Sequence, residues 1–123
     1  MREIKFRYYI KRKNDIILFD FKLTDIELIQ EKPEAEVIAK CEYTGLKDKN
    51  GKEIYEGDIV GISWWDGLED KTTQAQVIFK SGSFMWDDKK RYDSLFYKHM
   101  TFEVIGNIYE NPELLNVKAE GKI

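Results

Sequence analysis

The stretch from Tyr43 to Val60 limits the possible folds more than any other part of this chain, because its turn formers fix where the backbone reverses. Asn50-Gly51 is the dipeptide that most readily supplies the two positive φ angles of a type I′ turn, so Leu46 to Ile54 is expected to form a tight hairpin. Gly45 precedes that turn, and Gly57-Asp58 follows it as a kink at the entry to an apolar strand through Ile59, Val60, Ile62, Trp64 and Trp65. Almost nothing in the segment is chemically reactive, and its information concerns backbone path.

The rest of the chain reads as further hairpins. Ile4, Phe6, Tyr8 and Ile10 alternate with charged residues at the period of a strand with one buried face. Lys13-Asn14-Asp15 then turns the chain into a second strand from Asp15 to Leu23. Thr24 to Gln30 fits either a strand or one helical turn, and Pro33 breaks any regular element around it. A strand is expected from Glu36 to Tyr43, and Thr73 to Phe79 and Ser83 to Trp86 pair around Ser81-Gly82. Tyr92, Leu95, Phe96 and His99 have the spacing of a short amphipathic helix between Tyr92 and Met100. A strand from Thr101 to Tyr109 follows, and Asn111-Pro112-Glu113 then opens a short closing helix with a cap, a proline at the first position and an acid in the first turn. Residues 116–123 read as a frayed tail.

Two of these segments, Tyr43 to Val60 and Phe102 to Leu115 with its Gly106 and Pro112, occur in a combination that resembles the YopX family, small proteins encoded mainly by bacteriophages and prophages of Gram-positive bacteria. Arg2 to Arg7 is similar to the usual family opening. Gly61 to Met100 departs more freely, and Tyr8-Tyr9 stands where many relatives carry a tryptophan and an acid. The resemblance implies a mainly β fold with a small barrel-like core, a phage or prophage source and self-association. It implies no molecular activity, because none is established for the family as a whole. The expected architecture is one domain over residues 1–123, a partly coiled antiparallel sheet of hairpins with one or two short helices.

The 23 acidic and 20 basic residues are interspersed, leaving a net charge of −3 without the basic block of a dedicated nucleic-acid binder. Cys41 is the single cysteine, which excludes an internal disulfide, fits a reducing compartment and reads as a small strand side chain. The N-terminus lacks a signal-peptide pattern and no apolar run reaches the roughly 20 residues of a membrane span, so a cytoplasmic location in a bacterial host cell, with no membrane partner, is expected.

Motifs with chemistry are sparse. Placing Gly51 at the sharp turn of a calcium loop puts Leu46 first and Gly57 last, where an acid and a bidentate glutamate are needed, so the calcium reading fails. His99, the only histidine, makes no zinc motif with Cys41 and reads as a solvent-facing or helix-end side chain. Asp66, Glu69, Asp70, Asp87 and Asp88 flank one hairpin and could meet around a divalent ion. Solvated loops account for them more simply. Neither a nucleophile elbow nor a phosphate loop is present. No cofactor, metal site or catalytic residue is assigned.

Trp64, Trp65 and Trp86 are the candidate interaction surface, since neighbouring tryptophans on a strand face opposite sides and only one can enter a given core. The leading expectation is a non-enzymatic β-domain interaction module, a homo-oligomer acting on a host bacterial protein. The second is a small-barrel nucleic-acid binder using Trp64 or Trp65, Trp86, Lys89, Lys90 and Arg91. The third is a metal-dependent enzyme built on the loop carboxylates.

Overall fold

Alternating polar and apolar residues produce β1 (Lys5–Arg12), which pairs antiparallel with β2 (Asp15–Lys22) from Lys5↔Lys22 to Arg12↔Asp15. The computed structural model describes residues 4–12, 15–22, 36–95 and 99–115; the segments read above around Thr24 to Gln30, at Pro33 and at 116–123 lie outside them. On its other side β1 pairs with β3 (Glu36–Lys47), with a bulge between Tyr9 and Ile10. A bulge increases local twist, and this sheet, of order β2-β1-β3-β4, curls into a half-barrel. The expected single buried face of β1 needs correction. Tyr8 and Tyr9 point to opposite faces and both are buried, because the Tyr109 ring covers Tyr9 at a centroid distance of 4.4 Å.

After β4 (Glu53–Tyr55), the strands β5 (Asp58–Trp65), β6 (Asp70–Lys80), β7 (Ser83–Asp87), β8 (Tyr92–Ser94) and β9 (Met100–Asn107) form a second antiparallel sheet of order β8-β7-β6-β5-β9. Its inner face supplies Val60, Ile62, Ala75, Val77, Phe84 and Trp86, and Ile54 and Leu46 from the β3–β4 hairpin pack against them. Residues 92–95 do not open the helix expected between Tyr92 and Met100; residues 96–98, including Phe96, lie outside the described residues. Tyr92 and Ser94 instead pair with Asp87 and Met85 on the edge of β7, and Leu95 drops into the core. One helical turn, 113–115, follows Pro112, with Leu115 N donating to the Pro112 carbonyl.

The two hairpin turns differ in type, and the expected type I′ turn at Asn50-Gly51 needs correction. Between β3 and β4 only Gly51 takes a positive φ, 83°, so Asn50-Gly51 is not a type I′ turn. Asp48 N donates to Lys52 O and Gly51 N to Asp48 O, which gives a three-residue loop built as a type I turn ending in a left-handed glycine. The type I′ geometry occurs at Ser81-Gly82, where φ is 54° and 80° between the register partners Lys80 and Ser83.

The sheets are joined by the sequence segment first singled out. Gly57, at φ 90°, donates its N–H to Val77 O and accepts Ile108 N at its own carbonyl. A Cβ there would stand 2.9 Å from the Tyr109 ring, so close approach and backbone angle both call for glycine. Gly106 is limited by space: a Cβ would lie 2.7 Å from Asn111 Oδ1 and 2.8 Å from Leu114 Cδ1.

Candidate interaction site

The Trp64-Trp65 pair ends β5, where alternation sends the two indoles to opposite faces. Trp64 turns inward and is half-buried against the core. Trp65 turns outward and is 62% exposed. Trp86 does not belong to a surface as proposed above: it is 2% exposed, on the inner face of β7, where the register Val77↔Trp86 places it inside the sheet. Arg91 lies over the rings of both Trp64, at 5.1 Å, and Trp86, at 5.8 Å, with its Nε 3.6 Å from Asp88. The guanidinium that the nucleic-acid reading assigned to phosphate contacts thus lies against two indoles and a carboxylate.

Beyond Trp65 the β5–β6 hairpin closes on a turn that sequence reading had treated only as an acidic loop. Asp66 Oδ1 accepts both Leu68 N and Glu69 N at 2.8 Å, and Asp66 N donates to Glu69 O. Those amide bonds hold the Asp66 carboxyl below its ordinary range. The Lys71 ammonium sits 2.7 Å from Glu69 and 3.8 Å from Asp66. Leu68, at the tip, is 87% exposed.

The other loop acids also turn to local backbone. Asp87 accepts Lys89 N, while Asp88 accepts Lys90 N, Arg91 N and the Thr73 hydroxyl. Among the described residues, no three His, Cys, Asp or Glu side chains gather closely enough to hold a metal ion. His99 is exposed in the turn before β9. No helix among the described residues is long and apolar enough to cross a membrane.

The motif residues build the junction between the sheets. Buried Asp58 accepts Tyr55 N at 2.8 Å and faces the Arg7 guanidinium at 3.7 Å, while Arg7 lies 4.0 Å over the Tyr55 ring. Cys41 is buried beside it, and its thiol donates to the Tyr109 hydroxyl at 3.5 Å. Burial pushes that thiol up to about 11, against a smaller lowering by Tyr109. Tyr9 and Tyr109 are likewise raised, first by burial and then by Asp58 for Tyr9 and Cys41 for Tyr109. These shifts suit hydroxyls and a thiol that stay protonated and structural.

Asp48 connects the β3–β4 loop to β9. Its Oδ1 accepts Asn50 N and Lys52 N, its Oδ2 accepts Val104 N, and Lys49 N donates to Phe102 O. The loop thus occupies part of the outer edge of β9, the covering that an open strand edge requires. Asn107 has a similar role at the end of β9: its Oδ1 accepts Tyr109 N and Glu110 N, and its Nδ2 donates to Glu110. The Asn107 backbone N–H donates to Asn111 Oδ1, so the two asparagines together hold the turn that follows β9.

On the outer face of the second sheet, Gly61 forms the floor of a depression of about 430 Å³ among Ser63, Thr72, Gln74, Thr101 and Glu103. Glu103 is tied to Lys49 at 3.5 Å and to the Asn50 amide. The hydroxyl and amide lining is that of a solvated antiparallel face.

A search of curated proteins returns no match. Two solved structures are similar: protein EF1440 from Enterococcus faecalis, at 28% identity over 88% of this chain and 74% of that one, and protein yopX from Bacillus subtilis, at 23% over 94% and 97%. Both align with a TM-score of 0.48. The YopX protein family model matches residues 2–116, nearly the whole chain, which carries the characteristic turn, kink and closing segments described above; the chain belongs to the YopX protein family.

Proposed function

We propose that this chain is a non-enzymatic accessory protein of a phage or prophage, working in the cytoplasm of the bacterial host as a homo-oligomer and through contact with a host protein. The observation that carries the reading is Trp65, a large aromatic 62% exposed at the end of a strand whose neighbouring indole is packed inward. Aromatic anchors of this kind dominate protein interfaces. The side chains with reactive groups support it as well, because Cys41, Asp48, Asp58 and Asp88 each serve a structural bond.

The test is Trp65→Ala. Sedimentation measures assembly, and affinity capture from a Gram-positive lysate, with and without nuclease, measures partner binding. The variant is expected to keep its fold and to lose assembly or a nuclease-resistant protein partner. Assembly and capture that match the parent protein would remove Trp65 as the anchor. Recovery that disappears with nuclease would replace this function with nucleic-acid binding.

A further inference from the structure

Resting on the contact reading above, we infer that the tip of the β5–β6 hairpin docks onto a protein surface with an apolar pocket and a basic rim. Leu68 and Trp65 are the most exposed large hydrophobic side chains among the described residues, at 87% and 62%. Other exposed aromatics have partners within the chain: Lys80 lies 3.8 Å over the Tyr92 ring, and Phe79 meets Phe84 edge-on at 5.0 Å. Among the described residues Trp65 stacks on no ring or cation, leaving its face to a partner.

The tip is also pinned before any partner arrives. The two amide bonds to Asp66 Oδ1 and the Asp66 N to Glu69 O bond define the turn, and Gly67 supplies its positive φ of 101°. A side chain presented on an ordered turn loses less conformational freedom on binding, so more of its burial contributes to affinity. Leu68 thus resembles a preset knob more than a mobile loop residue.

Charge selects the partner. Asp66, Glu69 and Asp70 surround the two apolar side chains, and Lys71 is the one base in the same hairpin end, already engaged by Asp66 and Glu69. A partner that buries Leu68 and Trp65 therefore meets excess negative charge at the rim and is complementary when that rim is basic. The same charge disfavours a second copy binding tip to tip, because a two-fold contact places identical acids opposite each other.

The test uses a displayed random library of peptides of about twelve residues, selected on the immobilised full chain, with Leu68→Ser and an E69K/D70K double variant as comparisons. Selected peptides are expected to carry net positive charge and at least two large apolar residues. Their binding is expected to fall about tenfold or more in Leu68→Ser, as for an interface anchor, and to weaken with salt as exposed charge pairs do. The double variant is expected to reverse the charge preference. Neutral or acidic peptides, binding that survives Leu68→Ser, or no enrichment above the bare support would overturn the inference. If Trp65→Ala still abolishes capture while the peptides show no charge preference, only the basic-rim partner falls; if neither variant alters binding, the contact reading falls with it.

Discussion

Replacing Asp48 with alanine removes a single carboxylate that serves three backbone amides, those of Asn50 and Lys52 at Oδ1 and of Val104 at Oδ2, each at 2.9 Å. A hydrogen bond to a charged group contributes about 1.5–3 kcal/mol net. Asn50 and Lys52 lie on an exposed turn, where water can replace the lost acceptor and reduce each share to about 0.5–1 kcal/mol. Val104 is half-buried, and its amide is covered by the loop that Asp48 anchors, so it retains the larger share. The expected loss for Asp48→Ala is about 2.5–5 kcal/mol. Asp48→Asn can keep an oxygen toward the turn but then sets an amide N–H against the Val104 N–H, and about 1–2 kcal/mol is expected to go. Urea unfolding followed by tryptophan fluorescence measures both losses, and hydrogen exchange at Val104 locates them. Acid supplies an internal control. Burial alone would raise the Asp48 carboxyl, but the amides of Val104, Lys52 and Asn50 and the Lys52 ammonium outweigh it and hold the group below its ordinary range. A depressed folded value means that the contribution is complete above the ordinary aspartate pKa of about 3.9 and is lost as pH falls through the folded one. The gap between parent and Asp48→Asn should therefore begin to narrow as pH falls below about 3.9 and close once it has passed the depressed folded value. An asparagine variant as stable as the parent at neutral pH, or a gap unchanged in acid, would refute the assignment of Asp48 as the link to β9.

Further perturbations address the junction and the turns. Gly57→Ala combines a φ of 90° with a Cβ 2.9 Å from the Tyr109 ring, and a loss of about 2–5 kcal/mol is expected in denaturant unfolding; a cost below about 1 kcal/mol would show that the ring moves aside freely. Ser81→Asn places the preferred residue at a left-handed position, φ 54°, and should stabilise the β6–β7 hairpin by about 0.5 kcal/mol, seen as a small rise in Tm. Cys41, buried with its thiol pushed up to about 11 by burial, should react with a thiol reagent at neutral pH no faster than the protein opens. Rapid native-state labelling would contradict that placement.

Much of the fold was legible where local rules decide it. The strand β1, the Ser81-Gly82 reversal and the Gly57-Asp58 kink follow from side-chain period and turn chemistry, and each is present. The errors arose where distant residues decide. Asn50-Gly51 has the composition of a type I′ turn, yet Asp48 draws its amides into a wider loop because the same carboxylate must also reach Val104, 56 residues away. Tyr92, Leu95, Phe96 and His99 have helical spacing, but Tyr92 to Ser94 pair with the edge of β7. Tyr9 lies on the polar side of its strand pattern and is buried because Tyr109 returns over it. For the tryptophans, alternation established that Trp64 and Trp65 part company but not which of them faces the core. The neighbouring strands β6 and β9 settle that choice, and Trp86 follows the same inner face into the interior.

A division of labour follows from where these contacts fall. The two segments that carry the family resemblance, Tyr43 to Val60 and Phe102 to Leu115, are the ones that touch each other: Asp48 meets Val104, Lys49 meets Phe102, Gly57 meets Ile108, and Asn50 meets Glu103. Their side chains and amides are occupied in closing the second sheet onto the first, which accounts for a pattern rich in turn formers and poor in reactive groups. The exposed apolar side chains Trp65 and Leu68 lie outside both segments, at the end of the β5–β6 hairpin. Because the junction residues are engaged with one another and the tip residues are not part of that contact, a change at Trp65 or Leu68 is expected to leave the junction undisturbed. The tip substitutions Trp65→Ala and Leu68→Ser are therefore expected to leave the midpoint of urea unfolding nearly unchanged, whereas Asp48→Ala and Gly57→Ala at the junction are expected to lower it.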